Sequence, residues 1–222
     1  MDTSAQLAQL GPLEQLRAGR LARRIAQLMI GLSLYGISMA MMIRGQLGLA
    51  PWDALHIGVT RHLPLSFGEV VIALSFVVLL LWIPLREIPG IGTVANAFTI
   101  GAVADLALRA LETPEHFWGR LALTAGGVLV CGLGSALYIG AQLGRGPRDG
   151  LMTGFHRVTG LSLRLVRTVI ELTVLAGGLL LGGLGLFGIG TVLFALGIGP
   201  LTQALLPWTL VGVRAGAQAP DA

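Results

Sequence analysis

Residues 47–53 read LGLAPWD and residues 143–149 read LGRGPRD, so one motif returns 96 positions later in a chain dominated by apolar runs. Without a gap the echo pairs Gly36 with Gly132, Ala40 with Ala136, Gln46 with Gln142, Gly58 with Gly154, Arg61 with Arg157, Leu65 with Leu161 and Ser66 with Ser162. IGTV at 91–94 returns at 189–192, after a two-residue insertion. The chain is therefore two diverged copies of one unit, and any fold must place both copies in equivalent surroundings.

Composition identifies the solvent for that fold. With 54% hydrophobic residues, 12% charged residues and a mean hydropathy of +0.80, a water-soluble body would lack the polar surface to cover itself. Bilayer embedding follows. All 15 basic residues are arginine against 11 acids, an excess that suits anionic lipid, and no aromatic-interleaved basic stripe points to nucleic acid. The single Cys131 lies in an apolar run, which rules out an internal disulfide and leaves the redox compartment open.

A spanning helix needs about 20 mainly apolar residues. Five stretches qualify: Ile25 to Ile43, Phe67 to Ile83, Ile91 to Leu108, Leu121 to Ala141 and Gly185 to Leu206. Arg167 to Leu181, with Glu171 in its first turn, is a sixth because it is the counterpart of the Phe67 stretch. The run at 25–43 follows Arg20, Arg23 and Arg24 as a signal peptide would, but it is too long for one and lacks a small-residue cleavage site. The expected organisation is a polar tail at 1–22, repeat 1 at 23–112, repeat 2 at 113–212 and a short tail at 213–222.

Three spans per copy carry a geometric consequence: the second copy enters the membrane from the opposite side. The expected fold is thus an all-α polytopic membrane protein of six transmembrane helices, arranged as two inverted three-helix repeats. With the N-terminus inside, eleven arginines fall on inner segments, and only Arg44, Arg61, Arg109 and Arg120 fall outside. That asymmetry places both termini in the cytoplasm of a bacterial inner membrane.

The links at 44–65 and 142–163 are too polar to span. In each, a glycine-rich turn leads to proline, which suits the first helical position, and then to an aspartate that meets the positive end of the helix dipole. Trp52, Leu55 and Val59 form one apolar stripe; Leu151, Phe155 and Val158 form another. Two structures fit: a helix in the membrane interface, or a re-entrant half-helix covered by the spans.

Capping alone would account for Asp53 and Asp149. The copies differ, however, where a ligand would sit: Leu49 becomes Arg145, Ala50 becomes Gly146, Trp52 becomes Arg148 and His56 becomes Met152. Arg145 and Arg148 beside a helix N-terminus suit an anionic group, and serve equally as positive-inside anchors. Polar residues within spans need partners. Asp105 with Arg109 and Arg167 with Glu171 have the spacing of local ion pairs, while Asn96 and Thr99 share a face. The substrate-binding candidates are Trp52, Asp53, His56, Arg145, Arg148, Asp149 and Asn96. Asp53 and His56 also have metal-ligand spacing, but no third ligand accompanies them. No cofactor is expected.

LGLAPWDALHIGVTRHLPLSFGEV, residues 47–70, resembles the signature region of the YczE-like bacterial integral membrane proteins, relatives of the YitT type. The resemblance rests on Gly48, Pro51, Trp52, Asp53, Leu55, His56, Gly58, Leu65, Ser66 and Gly68 and extends over the chain after residue 22. It implies a polytopic cytoplasmic-membrane protein and carries over no functional residue.

Three classes of function follow. A small-solute transporter, for an organic or anionic solute, uses an inverted repeat most directly. A membrane scaffold or regulator would act through a partner and its exposed arginines. An enzyme is not expected, since no nucleophile with a base, HExxH or phosphate-binding loop is present. A homodimer suits the small size of the unit.

Overall fold

The computed structural model describes residues 11–213, all helix and connection with no strand among them. A short α1 (Pro12–Arg17) precedes α2 (Leu21–Gly45), α3 (Pro51–Thr60), α4 (Phe67–Leu85) and α5 (Ile91–Ala110). Then come α6 (Phe117–Gly140), α7 (Pro147–Thr159), α8 (Leu163–Gly182) and α9 (Ile189–Thr209). Six of these, α2, α4, α5, α6, α8 and α9, are long and apolar enough to cross a membrane. Leu80, Ile83, Leu106, Leu180, Leu196 and Trp208 are all more than half exposed, a surface that only hydrocarbon would stabilise. The predicted tails at 1–22 and 213–222 lie largely outside the described residues, but 12–17 form a helical turn.

The local chemistry repeats with the sequence. α2 and α6 begin 96 residues apart, as do α3 and α7, and α4 and α8; α5 and α9 begin 98 apart. Gln46 and Gln142 end their helices in the left-handed region, at φ 55° and 54°, and Gly48 and Gly144 follow at φ 106° and 123°. Pro51 and Pro147 then open the short helices. Ser66 and Ser162 both cap the next span by accepting from the third helical N–H, and Ser66 completes a capping box with Glu69.

The centre of the molecule is the α2–α6 pair. A Cβ on Gly31 would meet Gly134, Leu137 and Tyr138, and a Cβ on Gly127, 96 positions on, would meet Ser38, Met41 and Met42. Early α2 therefore faces late α6 and the reverse, so these equivalent helices run antiparallel with reciprocal contacts. Glycine at both positions allows backbones to approach closely where no solvent drives the packing.

Around this axis the copies are exchanged crosswise. α3 of the first lies along the end of α8 in the second, with Ala54 against Gly178 and Gly58 against Gly182. α7 of the second lies along the end of α4 in the first, with Gly150 against Trp82 and Gly154 against Leu85. The N–H of Gly92 donates to Leu143 O at 2.7 Å and that of Gly190 donates to Leu47 O at 2.6 Å, so each third span is tied to the other copy's turn.

Two charged residues are held differently from the sequence expectation. Asp105 makes no ion pair with Arg109; it accepts from Ser66 Oγ and from Gly68 N (2.7 Å), capping the start of α4 from a neighbouring span. The free N–H groups of a helix start bind a carboxylate more firmly than an exposed arginine would. Arg167 and Glu171 do pair, at 2.9 Å. Arg24 is wholly buried and donates to the carbonyls of Gln15, Ala141 and Gln142, which locks the turn before α7 to the N-terminal segment.

Candidate functional site

α3 and α7 run in the same direction as the spans they lie along, with their N-terminal ends in the interior of the bundle. Pro51, Trp52, Asp53, Ala54, His56 and Gly58 are buried on α3, and Pro147, Gly150, Leu151, Met152 and Gly154 on α7. Their first halves are buried as a re-entrant helix requires, while Phe155 to Thr159 at the end of α7 are exposed. At 10 and 13 residues the two helices are half the length of a span.

Their first turns meet. The Arg148 guanidinium lies 4.8 Å from the centre of the Trp52 ring, and its Nη2 is 3.5 Å from His56 Nε2. A cation beside Nε2 makes that nitrogen the acceptor and leaves the ring proton on Nδ1. Nδ1 faces Asp53 Oδ1 at 3.7 Å, too long for a hydrogen bond. His56 Nδ1 and Trp52 Nε1 are buried without a hydrogen-bond partner among the described residues. Phe67 packs edge-on against the His56 ring, at 5.7 Å between centroids.

Asp149 follows Arg148 in the first turn of α7. The Tyr138 hydroxyl donates to its Oδ2, and Tyr138 in turn packs edge-on against Tyr35 at 6.4 Å. Together Tyr35, Val71, Ser75, Asn96, Ile100, Tyr138 and residues 146–149 enclose a cavity of about 50 Å³. Trp82 closes the α7 side by donating from Nε1 to Pro147 O at 2.9 Å. Thr93 fixes the preceding turn by donating to Arg145 O at 2.6 Å.

Of the residues chosen from sequence, Trp52, Asp53, His56, Arg148 and Asp149 therefore converge, and Asn96 lines the adjoining cavity. Arg145 does not join them. Its side chain is half exposed and turns outward to Glu87 (3.7 Å) and Thr153 (3.0 Å), with Arg157 also on Glu87 at 3.0 Å. The expected Arg145–Arg148 clamp is thus split: Arg145 precedes the N-cap Gly146 and its side chain goes to Glu87, whereas Arg148 lies in the first turn of α7. Tyr35, Ser75 and Tyr138 escaped the sequence reading. The signal was there, because the chain has only two tyrosines and both sit inside apolar spans.

A model of a family of unknown function, DUF6198, matches residues 22–207. The chain is 36% identical over 184 residues to an uncharacterised protein of Haemophilus influenzae, covering 83% of this chain and 84% of the relative. It is 32% identical over 182 residues to the uncharacterised membrane protein YczE of Bacillus subtilis, covering 81% and 84%. The uncharacterised protein YyaS of the same organism is 25% identical over 182 residues, covering 80% and 90%. No solved structure matches. Six spanning helices and these relatives agree: the chain belongs to the YczE-like family of membrane proteins.

Proposed function

We propose that this protein is a small-solute transporter whose two copies form an inverted repeat in the bacterial cytoplasmic membrane, with both termini in the cytoplasm. The observation that carries the reading is the meeting of two half-helix starts inside the bundle, with Arg148 against Trp52 and His56, and His56 facing Asp53. Such discontinuous helices place dipole ends and charged side chains at the repeat interface of secondary transporters. Charges at that depth are costly and are retained where they bind or conduct something. The antiparallel α2–α6 pair and the crosswise exchange of α3 and α7 support two related conformations, one open to each face. No phosphate-binding loop is present, so transport is passive or ion-coupled, and the working unit is a monomer or a homodimer.

The test uses single cysteines in a Cys131→Ser background. Cysteine at His62 and at Thr159, both exposed at the far ends of the half-helices, should react with an impermeant maleimide from opposite faces. Cysteine at Asn96, which lines the cavity, should react from both faces in turn. Reaction of His62 and Thr159 variants from one face overturns the inverted repeat. Reaction of the Asn96 variant from one face alone overturns alternating access and favours a scaffold acting through a partner.

A further inference from the structure

We propose that the cavity beside α7 takes a small zwitterion, an ammonium and a carboxylate close together on a short carbon skeleton, as in the simplest amino acids. This rests on the transport reading and names the solute class. Arg148 and Asp149 are neighbours in sequence and both line the cavity. Neither has a direct ionic partner: no ion pair within 4 Å joins Arg148 to a carboxylate among the described residues, and none joins Asp149 to a cation.

The remaining hydrogen-bonding capacity has the same polarity split. Arg148 makes one long contact to His56 and otherwise stacks on Trp52, so most of its five N–H donors are unused. Asp149 Oδ2 is engaged by Tyr138, and Oδ1 has no partner among the described residues. The Asn96 amide makes no hydrogen bond among the described residues either, although it lines the cavity. Polar groups left unpaired around an enclosed space are the groups a ligand would satisfy.

Charge decides among solutes. A simple carboxylate could meet Arg148 and the first-turn N–H groups of α7, but would lie beside the Asp149 carboxylate. An amine could meet Asp149 and the tyrosine faces, but would lie beside Arg148. A zwitterion satisfies both and brings no net charge to membrane depth. Asp53, buried 3.7 Å from His56, does not line the cavity. The size, about 50 Å³, restricts the solute to a few heavy atoms, with Val71 and Ile100 against its carbon skeleton.

The other copy cannot offer the same site. At the equivalent positions Cys131 replaces Tyr35, Met42 replaces Tyr138 and buried Phe194 replaces Asn96, and these residues pack into one apolar cluster. The second copy's pocket, at Pro51, is lined instead by Thr168, Glu171, Leu172 and Phe187 and lacks the tyrosine pair and the arginine.

Counterflow into proteoliposomes tests the proposal with four labelled probes: glycine, L-alanine, acetate and methylammonium. Glycine and alanine should accumulate against preloaded glycine, while acetate and methylammonium should not. Asp149→Asn should weaken glycine exchange about 100-fold, since it leaves an ammonium unpaired at depth. Asn96→Phe, copying the second half, should abolish exchange in protein that elutes and melts like the wild type. Exchange of acetate or methylammonium without glycine overturns the zwitterion and leaves a transporter. No exchange of any probe, with cysteine at Asn96 still reacting from both faces, also overturns it while the transport reading stands.

Discussion

The half-site at Asp149 and the half-site at Asp53 share one sequence motif, yet the space between the tyrosines in one is filled by apolar side chains at the equivalent place in the other. Around Asp149 the neighbours are Tyr138, Tyr35 and Asn96; around the equivalent α3 turn Met42, Cys131, Phe194 and Ile198 close together with Leu49, Ala50 and Ala54. A difference of bulk appears one layer out as well. Trp82 of α4 fills the space over Gly150, and in the other copy Gly178 of α8 makes the space for Ala54. The bulk is thus distributed differently in the two pairs: a tryptophan on the span faces glycine in one, and glycine on the span faces only an alanine in the other. The two motifs share a frame and differ in what fills it.

The comparison can be broken most severely at that outer layer. A Cβ on Gly150 would lie 2.0 Å from the Trp82 ring, so Gly150→Leu should cost 3 kcal/mol or more, about the upper range for overpacking, and reduce folded protein in size-exclusion profiles. Trp82→Gly combined with Gly150→Ala reproduces the first-copy arrangement and should recover part of that loss in melting temperature. Additive losses from the two changes would refute the matching of bulk between them. Next in size is the turn lock. Arg24→Ala removes a guanidinium bonded to three carbonyls, about 3 kcal/mol, whereas Arg120→Ala, its counterpart, loses only a bond to Pro114 O, about 1 kcal/mol. Equal shifts in melting temperature would remove the difference between the two turns.

Phe194→Asn should open the filled half at a cost of about 2 kcal/mol, and should make the Cys131 thiol react with a small maleimide. An unreactive thiol would mean that Met42 and Ile198 close the space without it. The smallest effect belongs to the outer rim: Glu87→Gln, which loses two half-exposed arginine partners, should shift stability by about 0.5 kcal/mol and leave exchange intact. A large fall in exchange would instead make Glu87 part of a gate.

The spans and their spacing were legible because hydropathy over twenty residues and an echo of 96 positions are both carried in one dimension. Trp52, Asp53 and Asp149 were legible for the same reason, since they lie in the echoing motif itself. Arg145 was misplaced because its direction depends on which face of α7 meets α4, and Trp82, 63 positions earlier, sets that face. Asp105 was assigned to the nearest cation, whereas a helix start from another span outcompeted it. The tyrosines became meaningful only once antiparallel packing brought residue 35 next to residue 138.

The crosswise exchange has a consequence for how such a chain is made. α3 leaves the ribosome more than 100 residues before α8, the span it lies along, and the turn at Leu47 is synthesised long before Gly190 arrives to bind it. The first half must wait in the insertion machinery with its short helix uncovered, and it is completed only by the second. Each half thus buries surfaces that the other supplies, α3 against α8 and α7 against α4.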